Sequence, residues 1–265
     1  MNDKQWKIFC RFREDFKAKV LEWETLVPEL AELQKKAALK AGTPEYPFEN
    51  TVVYNSDLDK ISADDEIKLI VIGDNPGKDE QLNKNQKYLC GQAGKIADGF
   101  FRRNGQLNVD FRKNVIILNK TPVHSAKTAQ LKTMMKDGGQ AVSDLILQSQ
   151  LWMARNTAAL HKALVQAAVN LYEAPELWLV GYSELKGKSF FVPYRDELKK
   201  EYEEKRGQAF KGKQAWDKVY VFQHFSMNRF TIDLDDFVKK NKLEKLQLIE
   251  QIHATGEFHK KEIFE

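Results

Sequence analysis

Four short apolar runs constrain this chain more than anything else in it. They are IKLIVIG (67–73), VIIL (115–118), ELWLVGY (176–182) and KVYVFQ (218–223). Runs this short and this uniformly apolar are expected of strands covered on both faces. Helical stretches separate the first three. GQAGKIADGFFRRNG (91–105) opens on glycines and turns Ile96, Phe100 and Phe101 inward. A second stretch, at about 139–171, carries Leu145, Ile146, Leu151, Leu160, Leu164 and Val169. This alternation predicts an α/β fold: three αβα layers around a central, mainly parallel four-stranded sheet, with helices added at both ends.

The additions are legible too. Residues 1–66 read as an N-terminal helical extension. Trp6, Phe9, Phe16, Val20 and Trp23 recur at helical spacing, with a break expected at Pro28. Residues 67–230 form the α/β core, with a charged insertion at 186–214 whose later part, 196–214, is expected to be an exposed helix and loop. Residues 231–265 hold a C-terminal amphipathic helix, placed at 232–253, and a tail.

Composition removes several classes. The chain has 265 residues and a formal net charge of +4. No stretch approaches the roughly 20 apolar residues of a membrane span. The charged start MNDKQWKIFCRFRED lacks the apolar segment of a secretory signal, so a cytoplasmic setting is expected. Cys10 and Cys90 are the only cysteines. They exclude a disulfide framework and a cluster held by four cysteines of one chain. No metal-ligand spacing links the cysteines with the histidines, and no cofactor is expected. Residues 67–130 carry eleven basic and five acidic side chains, the largest local excess of positive charge. A polyanion such as DNA would be drawn there, although an ordinary solvated surface accounts for the same numbers.

In parallel α/β sheets, ligands bind beyond the carboxyl ends of the strands. Here the first run leads into Gly73-Asp74-Asn75-Pro76-Gly77, the second into Asn119-Lys120-Thr121-Pro122, and the fourth into His224-Phe225-Ser226-Met227-Asn228-Arg229. If these strands are neighbours, Asn75, Asn119 and His224 converge on one cleft. Two carboxamides and an imidazole suit the holding of a water, the reading of a planar amide edge and the stabilising of an oxyanion. Each turn also has a plain structural reading: a Gly/Pro/Asn turn, a capping asparagine, a satisfied buried histidine.

Taken together, VIGDNPGKDE (71–80), YLCGQAGKIADGFF (88–101), ILNKTP (117–122) and VFQHFSMNR (221–229) resemble the uracil-DNA glycosylase superfamily. The G-D-N-P-G form and the N-x-x-P are most similar to its single-strand-selective and mismatch-directed branches. G-Q-A-G-K is similar to the G-R-A-G segment of its iron–sulfur branch. The resemblance spans about residues 67–230 and implies a monofunctional DNA glycosylase that hydrolyses the N-glycosidic bond of uracil or a related deaminated base, acting on DNA as a monomer.

The resemblance also implies roles. Asn75 orients the attacking water, or Asp74 beside it does. Gly73, Pro76 and Gly77 shape the loop that carries them. Asn119 reads the amide edge of the flipped base, and His224 bonds its O2 as it departs. The family's stacking aromatic falls at Tyr88-Leu89, so either residue is a candidate wall of the base pocket. Ser226 contacts phosphate, and Met227, Asn228 and Arg229 form the wedge that replaces the flipped nucleotide. Lys78 and Lys120 are candidate DNA contacts, with Lys84, Lys87, Lys95, Arg102, Arg103 and Lys127 as further cations. Phe225 stands where the family has proline, and Gln92 where it has arginine. A binding module of the same fold without turnover is the alternative. An unrelated α/β hydrolase or nucleotide-binding enzyme lacks its signatures, since neither G-x-x-x-x-G-K-[ST] nor G-x-S-x-G occurs.

Overall fold

The computed structural model describes residues 1–203 and 214–265. Its centre is a parallel sheet of β1 (Leu69–Gly73), β2 (Val115–Asn119), β3 (Glu176–Val180) and β4 (Val219–Phe222), in the order β2-β1-β3-β4. β1 is paired on both sides: Val71 lies opposite Ile117 of β2 and Trp178 of β3. Every residue of β1 and β2 is buried, which explains their uninterrupted apolar sequences.

Helices cover both faces, giving the three-layer αβα fold. One layer holds α3 (Gln92–Arg103), α7 (Arg229–Asn241) and α8 (Leu248–Phe264). The Trp178 indole anchors it, stacked by Phe101 of α3 at 5.7 Å and Phe230 of α7 at 5.8 Å. α8 closes on β4 at Gly256, where a side chain would meet Tyr220 and Phe222. The other layer holds α1 (Asp3–Leu26), α4 (Ala129–Asp137), α5 (Gly139–Ala167) and α6 (Val192–Glu203), with α2 (Leu30–Lys40) packed on α4. No helix of the described residues is long and apolar enough to cross a membrane.

α1 begins with a capping box between Asn2 and Gln5 and ends just before Pro28. Its buried stripe of Phe9, Phe12, Phe16, Val20 and Trp23 joins the common core, with Phe16 stacked on Trp152 of α5 at 5.8 Å. The N-terminal segment is thus packed into the same core as residues 67–230.

Two expectations are corrected. The single helix at 232–253 is two, because Lys242 turns left-handed (φ 57°) and caps α7 before α8 starts at Leu248. The start of the segment expected at 196–214 as an exposed helix and loop is helical but half-buried rather than exposed. α6 starts at Val192 and buries Tyr194, Leu198 and Tyr202 along a face packed on α5. The rest of that expected segment, 204–213, lies outside the described residues.

Because Phe16 is fully buried between Tyr54 and Trp152, Phe16→Ala is expected to cost about 3–5 kcal/mol. Urea unfolding followed by tryptophan fluorescence and by circular dichroism is expected to give one shared, earlier transition. Separate transitions for the two probes would mean that α1 folds apart from the sheet.

Candidate active site

All four strands point their carboxyl ends at one edge of the sheet, and the segments that follow them enclose a cleft of about 610 Å³. Asp74 to Glu80 follow β1, Asn119 ends β2, Ser125 to Thr128 lead into α4, Gly181 to Glu184 follow β3, and Gln223 to Arg229 follow β4. The crevice lies where the chain order reverses, with β2 on one side of β1 and β3 on the other. Asn75, Asn119 and His224 all line it.

Asn119 sits at the floor. It is the last residue of β2, paired with Gly73, the last of β1. A Cβ at position 73 would run into the Asn119 carboxamide oxygen, so glycine there makes room for the side chain. Asn119 is 2% exposed and its Nδ2 has no partner among the described residues. An unpaired buried donor costs about 1–3 kcal/mol, a cost that a bound acceptor would remove.

Asp74 lies beside it. One carboxylate oxygen accepts from Lys120 Nζ at 2.6 Å, and the same ammonium donates to the carbonyls of Val180 (2.5 Å) and Gly73 (3.3 Å). Lys120 is completely buried, and burial depresses its pKa while Asp74 opposes the shift. It is therefore not a phosphate contact, contrary to the expectation from sequence, because its charge is spent inside. Asn75 is also occupied. Its Nδ2 donates to the carbonyl and hydroxyl of Ser125 at 3.0 Å each, and its Oδ1 accepts from the Thr128 hydroxyl at 3.0 Å. It ties the turn after β1 to the start of α4.

His224 is half-buried, and its Nδ1 accepts from the Ser226 backbone N–H at 3.1 Å. That bond requires an unprotonated Nδ1, so the neutral ring carries its proton on Nε2; the Ser226 hydroxyl then donates to Nδ1 at 2.9 Å. Burial lowers the His224 pKa; Asp74 opposes this and Lys120 adds to it. Near neutral pH the ring is an uncharged N–H donor. Phe225 is buried against Phe230 at 4.7 Å and anchors the loop where a proline was expected. Met227 (φ 53°) and Asn228 (φ 56°) are consecutive left-handed residues, and Met227 is 72% exposed on the cleft rim beside Arg229.

The segment before α3 decides the wall. Tyr88 is fully buried, with its hydroxyl donated to the Val53 carbonyl at 2.5 Å, and does not line the cleft. Leu89 does. It is held at φ 48°, its carbonyl lies where a side chain at Gly94 would be, and Arg112 donates to the carbonyls of both Tyr88 and Leu89. Of the two candidate walls, Leu89 is the one present, and no phenylalanine, tyrosine or tryptophan ring lines the cleft among the described residues.

Other features were missed from sequence. Glu80 is buried in the cleft wall, where its carboxylate accepts the Gly77 N–H at 2.9 Å. Burial raises its pKa to about 7, against the lowering effect of the Gly77 and Leu89 N–H groups. The spacing Gly77-x-x-Glu80 was the available signal, since a carboxylate three residues on commonly closes a turn onto a backbone N–H. The cleft is also less basic than local charge suggested. Lys78, Lys127 and Arg229 line it, but so do Asp74, Asp79, Glu80 and Glu184. Lys84, Lys87, Lys95, Arg102 and Arg103 lie outside it, Arg102 paired with Asp98. Among the described residues no group of three histidine, cysteine or carboxylate side chains is placed to hold a metal.

Comparison with known proteins finds no significant match: no family model, no curated protein and no solved structure.

The raised Glu80 pKa has a consequence for stability. The native state holds this proton more tightly than the unfolded chain, whose ordinary value is 4.5. The contribution is complete below that value and is lost as pH rises through about 7, an effect on the order of 3 kcal/mol. Glu80→Gln is expected to gain stability relative to wild type between pH 5 and pH 8 in urea unfolding. Parallel pH dependences in the two proteins would contradict it.

Proposed function

We propose that this cleft hydrolyses the N-glycosidic bond of uracil, or of a related deaminated base, in DNA. The observation that carries the reading is the unpartnered carboxamide of Asn119 on the floor of a cleft that also holds a neutral His224. A carboxamide offers one donor and one acceptor in a plane, the complement of the N3–H and O4 edge of uracil. A base in a duplex cannot reach such a floor, so the nucleotide is flipped or already single-stranded.

The reaction asks two things of the chain. The bond from C1′ to N1 breaks with its electron pair going to the base, and negative charge develops on O2. The Nε2–H of His224 supplies a donor for that oxygen without having to lose a proton first. Water then forms the new bond to C1′ and gives up a proton. Asp74 suits this task better than Asn75. One of its carboxylate oxygens is free of hydrogen bonds among the described residues, whereas the Asn75 amide is engaged at both ends. Among the described residues no lysine is free at the floor to attack C1′, since the Lys120 ammonium is saturated. Base release without strand cleavage follows. Lys78, Lys127 and Arg229 on the rim serve the phosphates, and exposed Met227 serves as the wedge.

A second reading, a nucleic-acid or protein binding module without turnover, is favoured by one observation. Leu89 forms the wall where an aromatic ring would stack on the base.

The test is incubation with uracil-containing single- and double-stranded oligonucleotides, followed by alkali. Abasic product is expected, and His224→Ala and Asn119→Ala are each expected to lower the single-turnover rate about 100-fold or more. Salt-dependent oligonucleotide binding with no release of any deaminated base at enzyme excess would leave the binding module as the function.

A further inference from the structure

We propose that Lys120 is a positioning residue: its buried ammonium locks the Asp74 carboxylate with one oxygen tied down and the other turned to the cleft. The inference rests on the glycosidase reading above. Three observations carry it.

First, the ammonium cannot swing away. Its three acceptors are Asp74 Oδ1, the Val180 carbonyl at the end of β3 and the Gly73 carbonyl at the end of β1, while Lys120 itself directly follows β2. One cation thus joins the carboxyl ends of three strands, and the Phe191 ring lies 5.1 Å from it. Second, the chain beyond β3 closes on the same carboxylate. Gly181 is left-handed (φ +93°), and a side chain there would collide with Asp74 Oδ1 and crowd Oδ2. Third, Asp74 Oδ2 has no hydrogen bond among the described residues, although Asp74 lines the cleft.

A buried lysine is an expensive way to hold a fold together. Removing an ammonium from water costs several kcal/mol, and apolar residues of similar volume often serve stability as well. Lysine is better suited to fixing where a carboxylate sits. Misplacement of a reacting group by about 1 Å can cost about 100-fold in rate.

The experiment is a double-mutant cycle with Lys120→Met, Asp74→Asn and the pair combined. It is read by single-turnover base release from a uracil oligonucleotide, by the Kd for that oligonucleotide at several salt concentrations, and by thermal melting. Lys120→Met is expected to slow base release about 100-fold, with the Kd and its salt dependence unchanged. Lys120→Met in the Asp74→Asn background is expected to slow it by less than about threefold further, because the lysine acts only through the carboxylate. The combined variant removes both charges, so it reports on the proposal even if Lys120→Met alone does not fold. Wild-type rates in folded Lys120→Met would overturn the proposal while leaving the glycosidase reading intact. So would a weaker Kd with a salt slope reduced by about one, the mark of a phosphate contact, or a large further loss in the combined variant. No base release by the wild-type protein would overturn the glycosidase reading and the proposal with it.

Discussion

Parallel pairing of β1 with both β2 and β3 is the constraint on which the rest of the molecule depends. It sends all the strands in one direction, so every turn leaving a strand end emerges at the same edge. It also sets Gly73 against Asn119 at the last register position, where the absent Cβ of one makes the space for the carboxamide of the other. Residues about 150 positions apart, Asp74 and His224, become electrostatic neighbours because the crossovers return each strand alongside the last. The aromatic cluster around Trp178 covers one face of the sheet and, through Phe230 stacked on Phe225, supports the loop after β4 at this edge, while the stripe of α1 packs on α5.

The cleft is built from polar groups whose charges are largely settled inside the protein. Lys120 balances Asp74, the Ser226 N–H fixes the proton of His224 on its outer nitrogen, and the Gly77 N–H holds Glu80. In a poorly hydrated site, fixed dipoles and paired charges need no rearrangement when charge develops in a bound ligand. Against this background the Asn119 amide nitrogen stands out as a buried donor with no partner among the described residues.

Much of this was legible in the residues. The four strands were, because a sheet covered on both faces imposes continuous apolar runs. The polar turns after β1, β2 and β4 were, because backbone direction in a parallel sheet dictates where they emerge. Other features were not. Whether Tyr88 or Leu89 faces the cleft depends on a left-handed turn at Leu89, set by Arg112 and Gly94 from other parts of the chain. Lys120 read as a candidate DNA contact, and only its partners on β1 and β3 show that it points inward. The local excess of positive charge did not become a basic cleft, since nine of the eleven cations counted toward it do not line the cleft while carboxylates from separate loops do.

The sequence by itself determined the α/β class, the strands and two side chains at the cleft, Asn119 at the end of β2 and His224 just beyond β4. Those follow from local pattern, since hydrophobic periodicity and turn residues act over a few positions of the chain. Tertiary structure alone decided which way each neighbouring side chain turns, which charges are neutralised and which donor is left unpaired. Those depend on contacts between distant segments, where a carbonyl from one strand or the missing side chain of a glycine in another selects the geometry.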